Sequence, residues 1–125
     1  MTEKMTDESP MDDPFDRVYL RKNYLDLGCA DVLSDVFRIF LESSRVKLAG
    51  VRSALVTESM GELLNLAHGL KGEAGSVGGR HVTAIAAAME KAARGGDLQE
   101  LRRRMPELEH ELERLLQAIE RELEG

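Results

Sequence analysis

The chain has 125 residues, with 17 Lys and Arg against 23 Asp and Glu, and its formal net charge is −6 at pH 7. This length fits one domain, and 42% hydrophobic residues with only 4% aromatic ones favour packed helices over a β-sandwich or barrel. The acidic balance argues against nucleic acid as a partner, because such binding depends on neutralising phosphates with Lys and Arg.

Cysteine usage and hydropathy bear on the compartment. Cys29 is the only cysteine, which excludes an intrachain disulfide and a Cys-x-x-Cys zinc or redox site. The longest nearly apolar stretch, Val82 to Met89, is far shorter than the roughly 20 residues of a membrane span. The N-terminus also lacks a basic segment followed by an apolar one. We therefore expect a cytoplasmic protein that does not bind a membrane.

The first 15 residues differ in composition from the rest of the chain. They contain two prolines, show no hydrophobic period and carry most of the net charge, with Lys4 facing five acids: Glu3, Asp7, Glu8, Asp12 and Asp13. Such a composition is typical of disorder. We predict a disordered acidic tail over 1–15 and a single helical domain over 16–125.

Hydrophobic residues at spacings of three and four begin soon after this tail. They predict one long helix over 30–56 and a turn with a cap at 57–59. A second apolar stripe runs over 63–77, and the glycines at 78–79 should end its helix.

Two further stripes follow. The third covers 82–93 and should stop at the glycines 95–96, and Asp97 is placed to cap the last helix, which has leucine-rich spacing over 98–123. Pro106 should kink or break that helix because it lacks a backbone donor. Four helices with short turns predict an all-α fold, an antiparallel up-down four-helix bundle with a short extra N-terminal helix.

The sequence motifs do not indicate a metal site or a nucleotide-binding site. Glu107 to His110 is a single Glu-x-x-His, where di-iron bundles need two copies, and His110 has no second histidine at zincin spacing. The glycines of 75–79 do not have the spacing of a phosphate-binding loop. We predict no metal site, and we interpret His81 and His110 as capping or surface residues.

The second helix breaks the usual helix preferences. Gly69, Gly72 and Gly75 lie inside it, and each costs about 0.8–1 kcal/mol of helix preference relative to Ala. Counting about 100° per residue from the core stripe, His68 lies at about 140° and Lys71 at about 80°. The histidine therefore faces outward among positions that lack a Cβ.

An exposed imidazole in these surroundings suits attack on a phosphoryl group held by another protein. Neutral imidazole is available as a nucleophile near pH 7. The bare glycines let a partner's backbone come close, and Lys71 can offset charge on the phosphoryl oxygens. The spacing alone leaves a second interpretation open, in which His68 is a solvated surface residue beside a close helix contact.

The segment 67–79 resembles the signature of histidine-containing phosphotransfer (HPt) domains. The matching positions are His68, Lys71, Gly72 and Gly78, and the resemblance extends over roughly 16–125. It implies that His68 accepts and donates a phosphoryl group, that Lys71 assists, and that Gly72 leaves room for a receiver domain. Two residues depart from the usual pattern: Glu73 stands where a small residue is common, and Gly79 where Ala is frequent.

Four more residues of this helix are candidate partner contacts. Leu64 lies one turn before His68, although it could equally pack under the N-terminal segment. Asn65 and Ser76 could contact the phosphoryl group or could be solvated polar positions. Gly75 would let the partner approach.

The resemblance implies a phosphorelay intermediate. It would take a phosphoryl group from a receiver-domain aspartate, such as that of a hybrid sensor kinase, and pass it to a response regulator. It would act as a monomer with no kinase activity and no cofactor of its own, because the receiver's acidic pocket would supply Mg²⁺. The alternative is a non-catalytic helical adaptor that binds a receiver domain without phosphate flow, and only the adaptor should tolerate His68→Ala.

Overall fold

The structure, a computed structural model, describes residues 12–125. Its helices are α1 (Arg17–Leu20, continued by a π-helical segment Arg21–Leu25), α2 (Ala30–Thr57), α3 (Met60–Ser76), α4 (Arg80–Arg94) and α5 (Leu98–Glu124). The prediction of an all-α four-helix bundle with a short N-terminal helix is confirmed. Within this part of the chain, every helix is too short or too polar to cross a membrane.

Local backbone chemistry sets the ends of the helices. Glu58 adopts the left-handed conformation with φ 57°, and its N–H bonds to the carbonyl of Ala54, which closes α2 within the predicted turn. Gly96 has φ 70° at the end of α4, a conformation that a residue without a Cβ adopts at little cost. The carboxylate of Asp97 then accepts a hydrogen bond from the N–H of Glu100 and caps α5, as predicted.

The core is aliphatic and continuous through the bundle. Helix α3 packs against both α2 and α4, and α5 packs against α4 and α2. The buried side of α3 carries Leu63, Ala67, Leu70 and Ala74. Because this stripe is buried, the opposite side of α3 is left on the surface of the bundle.

The predicted tail needs a correction at its end. Residues 1–11 lie outside the described residues, so the prediction of disorder stays a prediction there. Phe15, however, is fully buried, and its ring stacks on Phe37 with centroids 5.7 Å apart. Asp13 accepts a hydrogen bond from the N–H of Phe15 and pairs with Arg17. The tail prediction is therefore wrong for these residues, because one aromatic side chain can anchor a segment that has no hydrophobic period.

Pro106 does not break the last helix. Helix α5 runs without interruption from Leu98 to Glu124, and Pro106 is exposed on its outer side. The proline leaves the carbonyl of Arg102 without its helical hydrogen-bond donor. Because Arg102 is exposed, water can bind this carbonyl instead.

We expect Phe15→Ala to lower the free energy of unfolding by about 3–5 kcal/mol, the range for a fully buried phenylalanine replaced by alanine. Urea denaturation monitored by circular dichroism measures this, and Phe15→Leu serves as the milder control. Equal stability of Phe15→Ala and the native chain would show that the segment before α1 is not packed on the bundle.

Candidate functional site

The outward side of α3 presents a histidine beside open backbone. The side chain of His68 is 70% exposed, and Gly72, one turn further, is also exposed. A Cβ built at Gly72 would have no heavy atom within 4 Å. The arrangement matches the wheel position from the sequence: the imidazole stands on a surface with free space next to it.

A buried carboxylate from the neighbouring helix holds this histidine. Glu90 of α4 has a side chain only 6% exposed, and its Oε2 lies 2.9 Å from His68 Nδ1. Its Oε1 lies 2.6 Å from Lys71 Nζ, and Oε2 lies 3.2 Å from the guanidinium of Arg94. We call His68, Lys71, Glu90 and Arg94 the Glu90 cluster.

The hydrogen bond to Glu90 sets the tautomer of His68. An ionised carboxylate can only accept hydrogen bonds, so the proton of the neutral imidazole must be on Nδ1. The lone pair is then on Nε2, at the far side of an exposed ring. The site therefore presents a nucleophilic nitrogen to solvent.

The cluster keeps Glu90 ionised. The hydrogen bond from Lys71, followed by those from His68 and Arg94, lowers the pKa of Glu90 to about 2, although burial would raise it. The carboxylate is therefore charged at neutral pH, and it orients the imidazole and the two cations together.

Of the predicted partner contacts, Gly75 and Leu64 are at the sides of α3. Gly75 is open to a groove between α1 and α4 that Tyr19, Ala84 and Ala87 also line. Leu64 is half-buried and packs against the core. Each lies one helical turn from a member of the Glu90 cluster, Leu64 from His68 and Gly75 from Lys71.

The two polar residues that were predicted to contact the phosphoryl group, Asn65 and Ser76, have different surroundings. Asn65 is exposed one turn before His68. The hydroxyl of Ser76 donates a 2.7 Å hydrogen bond to the carbonyl of Glu73, and its own carbonyl accepts one from the hydroxyl of Tyr24. The structure thus gives Ser76 a role within the fold.

Two other glycines lie against side chains of the chain itself. A Cβ at Gly69 would lie 2.8 Å from Cε of Lys47, whose side chain crosses α3 there. A Cβ at Gly79 would lie 2.5 Å from a methyl carbon of Leu115. Gly69 is therefore covered by the side chain of Lys47, whereas Gly72 and Gly75 are open.

Sequence reasoning missed Glu90 and Arg94. The available signal was the position of Glu90, which shares the buried stripe of α4 with Val82, Ala86 and Ala93. A charge at a core position implies a paired partner nearby. A single helix cannot show which residue of another helix that partner is.

The remaining histidines lie apart from the cluster. His81 is the second residue of α4, and His110 is exposed on α5. Over residues 12–125, no three His, Cys, Asp or Glu side chains are grouped to hold a metal ion.

Because the pKa of Glu90 is lowered, the contribution of Glu90 to the free energy of unfolding depends on pH. Because the pKa in the folded state lies below the ordinary 4.5, the contribution is complete above about pH 4.5 and is lost as the pH falls through about 2. We expect the stability difference between the native chain and Glu90→Gln to be full at pH 5 and to shrink toward pH 2. Urea denaturation at several pH values measures it.

A second carboxylate, Glu100, also makes the stability of the native chain depend on pH in this range. The pKa of Glu100 is also lowered to about 2, by Arg103 and Arg104, but Glu100 is present in both proteins and its contribution cancels. A difference that stayed constant down to pH 2 would contradict the pairing of Glu90 with His68 and Lys71.

Comparison with protein families gives one match. The family model described as Hpt domain matches residues 35–118, more than half of the chain, and this range contains the whole Glu90 cluster. No curated protein and no solved structure matches the chain.

Proposed function

Because the chain belongs to the Hpt domain family, whose members act in histidine phosphotransfer in two-component signalling, we propose that it is a phosphorelay intermediate that carries the phosphoryl group on His68. The group comes from an aspartyl-phosphate of one receiver domain, such as that of a hybrid sensor kinase, and goes to the aspartate of a response regulator. The observation that carries this proposal is an exposed imidazole whose Nδ1 is held by a buried carboxylate 2.9 Å away.

The transfer forms one bond and breaks another. The lone pair of His68 Nε2 attacks the phosphorus, the bond from phosphorus to the aspartyl oxygen breaks, and the aspartate leaves as a carboxylate. The proton stays on Nδ1, where Glu90 faces the positive charge that develops on the ring. Onward transfer to the second receiver is the same step in reverse.

Two cations can offset the charge of the phosphoryl oxygens. The side chains of Lys71 and Arg94 are 38% and 66% exposed, and both bind the carboxylate that binds His68. Both cations therefore lie near the imidazole on its Nδ1 side, and in this proposal their part-exposed side chains turn toward the phosphoryl group on Nε2, since phosphoryl transfer requires little beyond positioning and charge. The acidic pocket of the receiver supplies Mg²⁺ in this proposal, and this chain contributes no cofactor.

We further propose that the protein is a monomeric phosphocarrier without kinase activity, acting in the cytoplasm. A monomer is sufficient for this function, because one chain provides all four members of the Glu90 cluster. A reducing compartment agrees with the single cysteine.

The proposal is tested with His68→Gln and a receiver domain charged with acetyl phosphate. We expect the native chain to gain acid-labile phosphate and His68→Gln to gain none, because the nucleophilic nitrogen is absent. If His68→Gln still gained acid-labile phosphate, His68 would not be the carrier of the phosphoryl group. If the native chain bound receivers without ever gaining phosphate, the adaptor function would replace this one.

The open space at Gly72 leads to a second prediction. Gly72→Leu should raise helix stability by up to about 1 kcal/mol, because position 72 is exposed and a Cβ there has no heavy atom within 4 Å. The same side chain stands one turn from His68 and should block the receiver, so transfer falls while stability rises. Urea denaturation and transfer assays on the same sample measure the two effects.

A small phosphodonor is the control for that variant. Phosphoramidate needs no protein docking, so it should still phosphorylate His68 in Gly72→Leu. A variant that lost stability and transferred normally would show Gly72 to be a packing residue.

A further inference from the structure

The carboxylate of Glu90 differs from the two cations of its cluster in its contact with water. The side chain of Glu90 is 6% exposed, whereas those of Lys71 and Arg94 are 38% and 66% exposed. The cations can therefore turn toward a bound group, while the carboxylate stays where the fold holds it. A buried anion needs charged or hydrogen-bonded partners at every stage of a reaction.

Phosphorylation of His68 changes the partners that Glu90 has. In the proposed function, Lys71 and Arg94 turn toward the negatively charged phosphoryl oxygens, and their contacts with Glu90 weaken. The Nδ1–H of His68, with Nδ1 2.9 Å from Oε2, is then the remaining donor of the Glu90 cluster. The carboxylate therefore depends most on the Nδ1–H once the phosphoryl group has arrived.

A carboxylate and an amide at this position would act differently on Nδ1. An ionised carboxylate only accepts hydrogen bonds, so it requires a proton on Nδ1, and its negative charge favours the cationic form of the phosphorylated ring. An amide can accept a hydrogen bond through its oxygen or donate one through its nitrogen. It can therefore stabilise Nδ1 with or without a proton.

The proton on Nδ1 decides how readily the ring gives up the phosphoryl group. In onward transfer a carboxylate oxygen of the receiver attacks the phosphorus, the bond from phosphorus to Nε2 breaks, and its electron pair stays on Nε2. With a proton on Nδ1, the ring leaves as neutral imidazole. Without that proton it would leave as the imidazolate anion, which is a much stronger base and a poorer leaving group.

We infer that Glu90 keeps Nδ1 of phosphorylated His68 protonated and thereby extends the pH range over which His68 passes on its phosphoryl group. This inference rests on the proposed function and concerns its second half, the transfer to the response regulator. Glu90 is a positioning residue in this step, because it contacts Nδ1 and acts on the reacting Nε2 through the ring.

The charges around the ring set the direction of the effect. On α3 and α4, Lys71 and Arg94 are the cations bound to Glu90, and both disfavour a further positive charge on the ring. On α2, the ammonium of Lys47 is paired with Glu73, 2.7 Å away. The carboxylate that contacts Nδ1 is that of Glu90, and its pKa of about 2 keeps it ionised at neutral and alkaline pH.

The first experiment uses the full chain with ¹⁵N-labelled histidine. Phosphoramidate phosphorylates the chain, the excess is removed, and ¹⁵N NMR follows Nδ1 of phosphorylated His68 as the pH is raised. We expect Nδ1 to lose its proton about one to two pH units lower in Glu90→Gln than in the native chain, because a facing negative charge is removed. Glu73→Gln is the matched control, since it makes the same change to a carboxylate that pairs with Lys47, and it should leave the titration unchanged.

A single-turnover assay measures the consequence for transfer. Each phosphorylated chain is mixed with unphosphorylated receiver domains and Mg²⁺, and the rate constant for transfer is measured over the same pH range. We expect the rate constant of Glu90→Gln relative to the native one to fall about tenfold for each pH unit between the two titration midpoints, because it follows the protonated fraction. The pH dependence of the receiver itself cancels in this ratio.

Arg94→Gln is a second variant that tests the inference even if Glu90→Gln does not fold. Arg94 is exposed, and its replacement removes a cation near the ring while the carboxylate stays. Nδ1 should therefore keep its proton to a pH about half a unit higher than in the native chain. A shift to lower pH, or no shift, would overturn the inference. Circular dichroism shows whether each variant is folded.

The failure of the inference and the failure of the proposed function give different results. If Nδ1 loses its proton at the same pH in the native chain and in Glu90→Gln, while receivers take the phosphoryl group, the inference fails and the proposed function stands. If the titration shifts as expected but no receiver takes the phosphoryl group from the native chain, the proposed function fails, and the role of Glu90 in transfer fails with it. If phosphoramidate leaves His68 unmodified, both are overturned.

Discussion

The buried carboxylate of Glu90 is the constraint on which the site depends. A charge with 6% exposure needs partners, and here it takes them from two helices: His68 and Lys71 on α3, and Arg94 on its own helix α4. The need to pair a buried anion therefore fixes the imidazole orientation and brings two cations to the same place. The same three contacts stabilise the buried carboxylate and orient the imidazole.

The same charge balance suits a group that must arrive and leave. Before transfer, Glu90 already neutralises much of the positive charge of Lys71 and Arg94, so these cations do not bind a phosphoryl group as strongly as free ones would. In the proposed transfer the phosphoryl oxygens and Glu90 would compete for these two cations, while the Nδ1–H of His68 stays hydrogen-bonded to the carboxylate. A carrier that bound its phosphoryl group too strongly would slow the second half of its own reaction.

Period and turn chemistry were enough to predict the helices, the outward position of His68 and the free space at Gly72. They could not predict contacts between helices, because a helical wheel describes the positions of side chains around one helix only. For that reason Glu90 was missed, and Gly69 was assigned to a partner although Lys47 occupies its free side. Phe15 was missed for a related reason: its burial depends on Phe37, which the local pattern around Phe15 does not contain.

The two sides of the outward face of α3 differ in how freely their residues can be substituted. On the α4 side, Glu90 is buried and each member of its cluster depends on the others, so few substitutions there leave the nucleophile in place. On the α2 side, Lys47 and Glu73 are 25% and 34% exposed, and Ile39 and Val46 carry no part of the core. Substitutions there should leave the contacts of His68 unchanged, because additive effects are expected for residues that do not share contacts. The bundle therefore holds the imidazole through the α4 side alone, and the α2 side takes no part in those contacts.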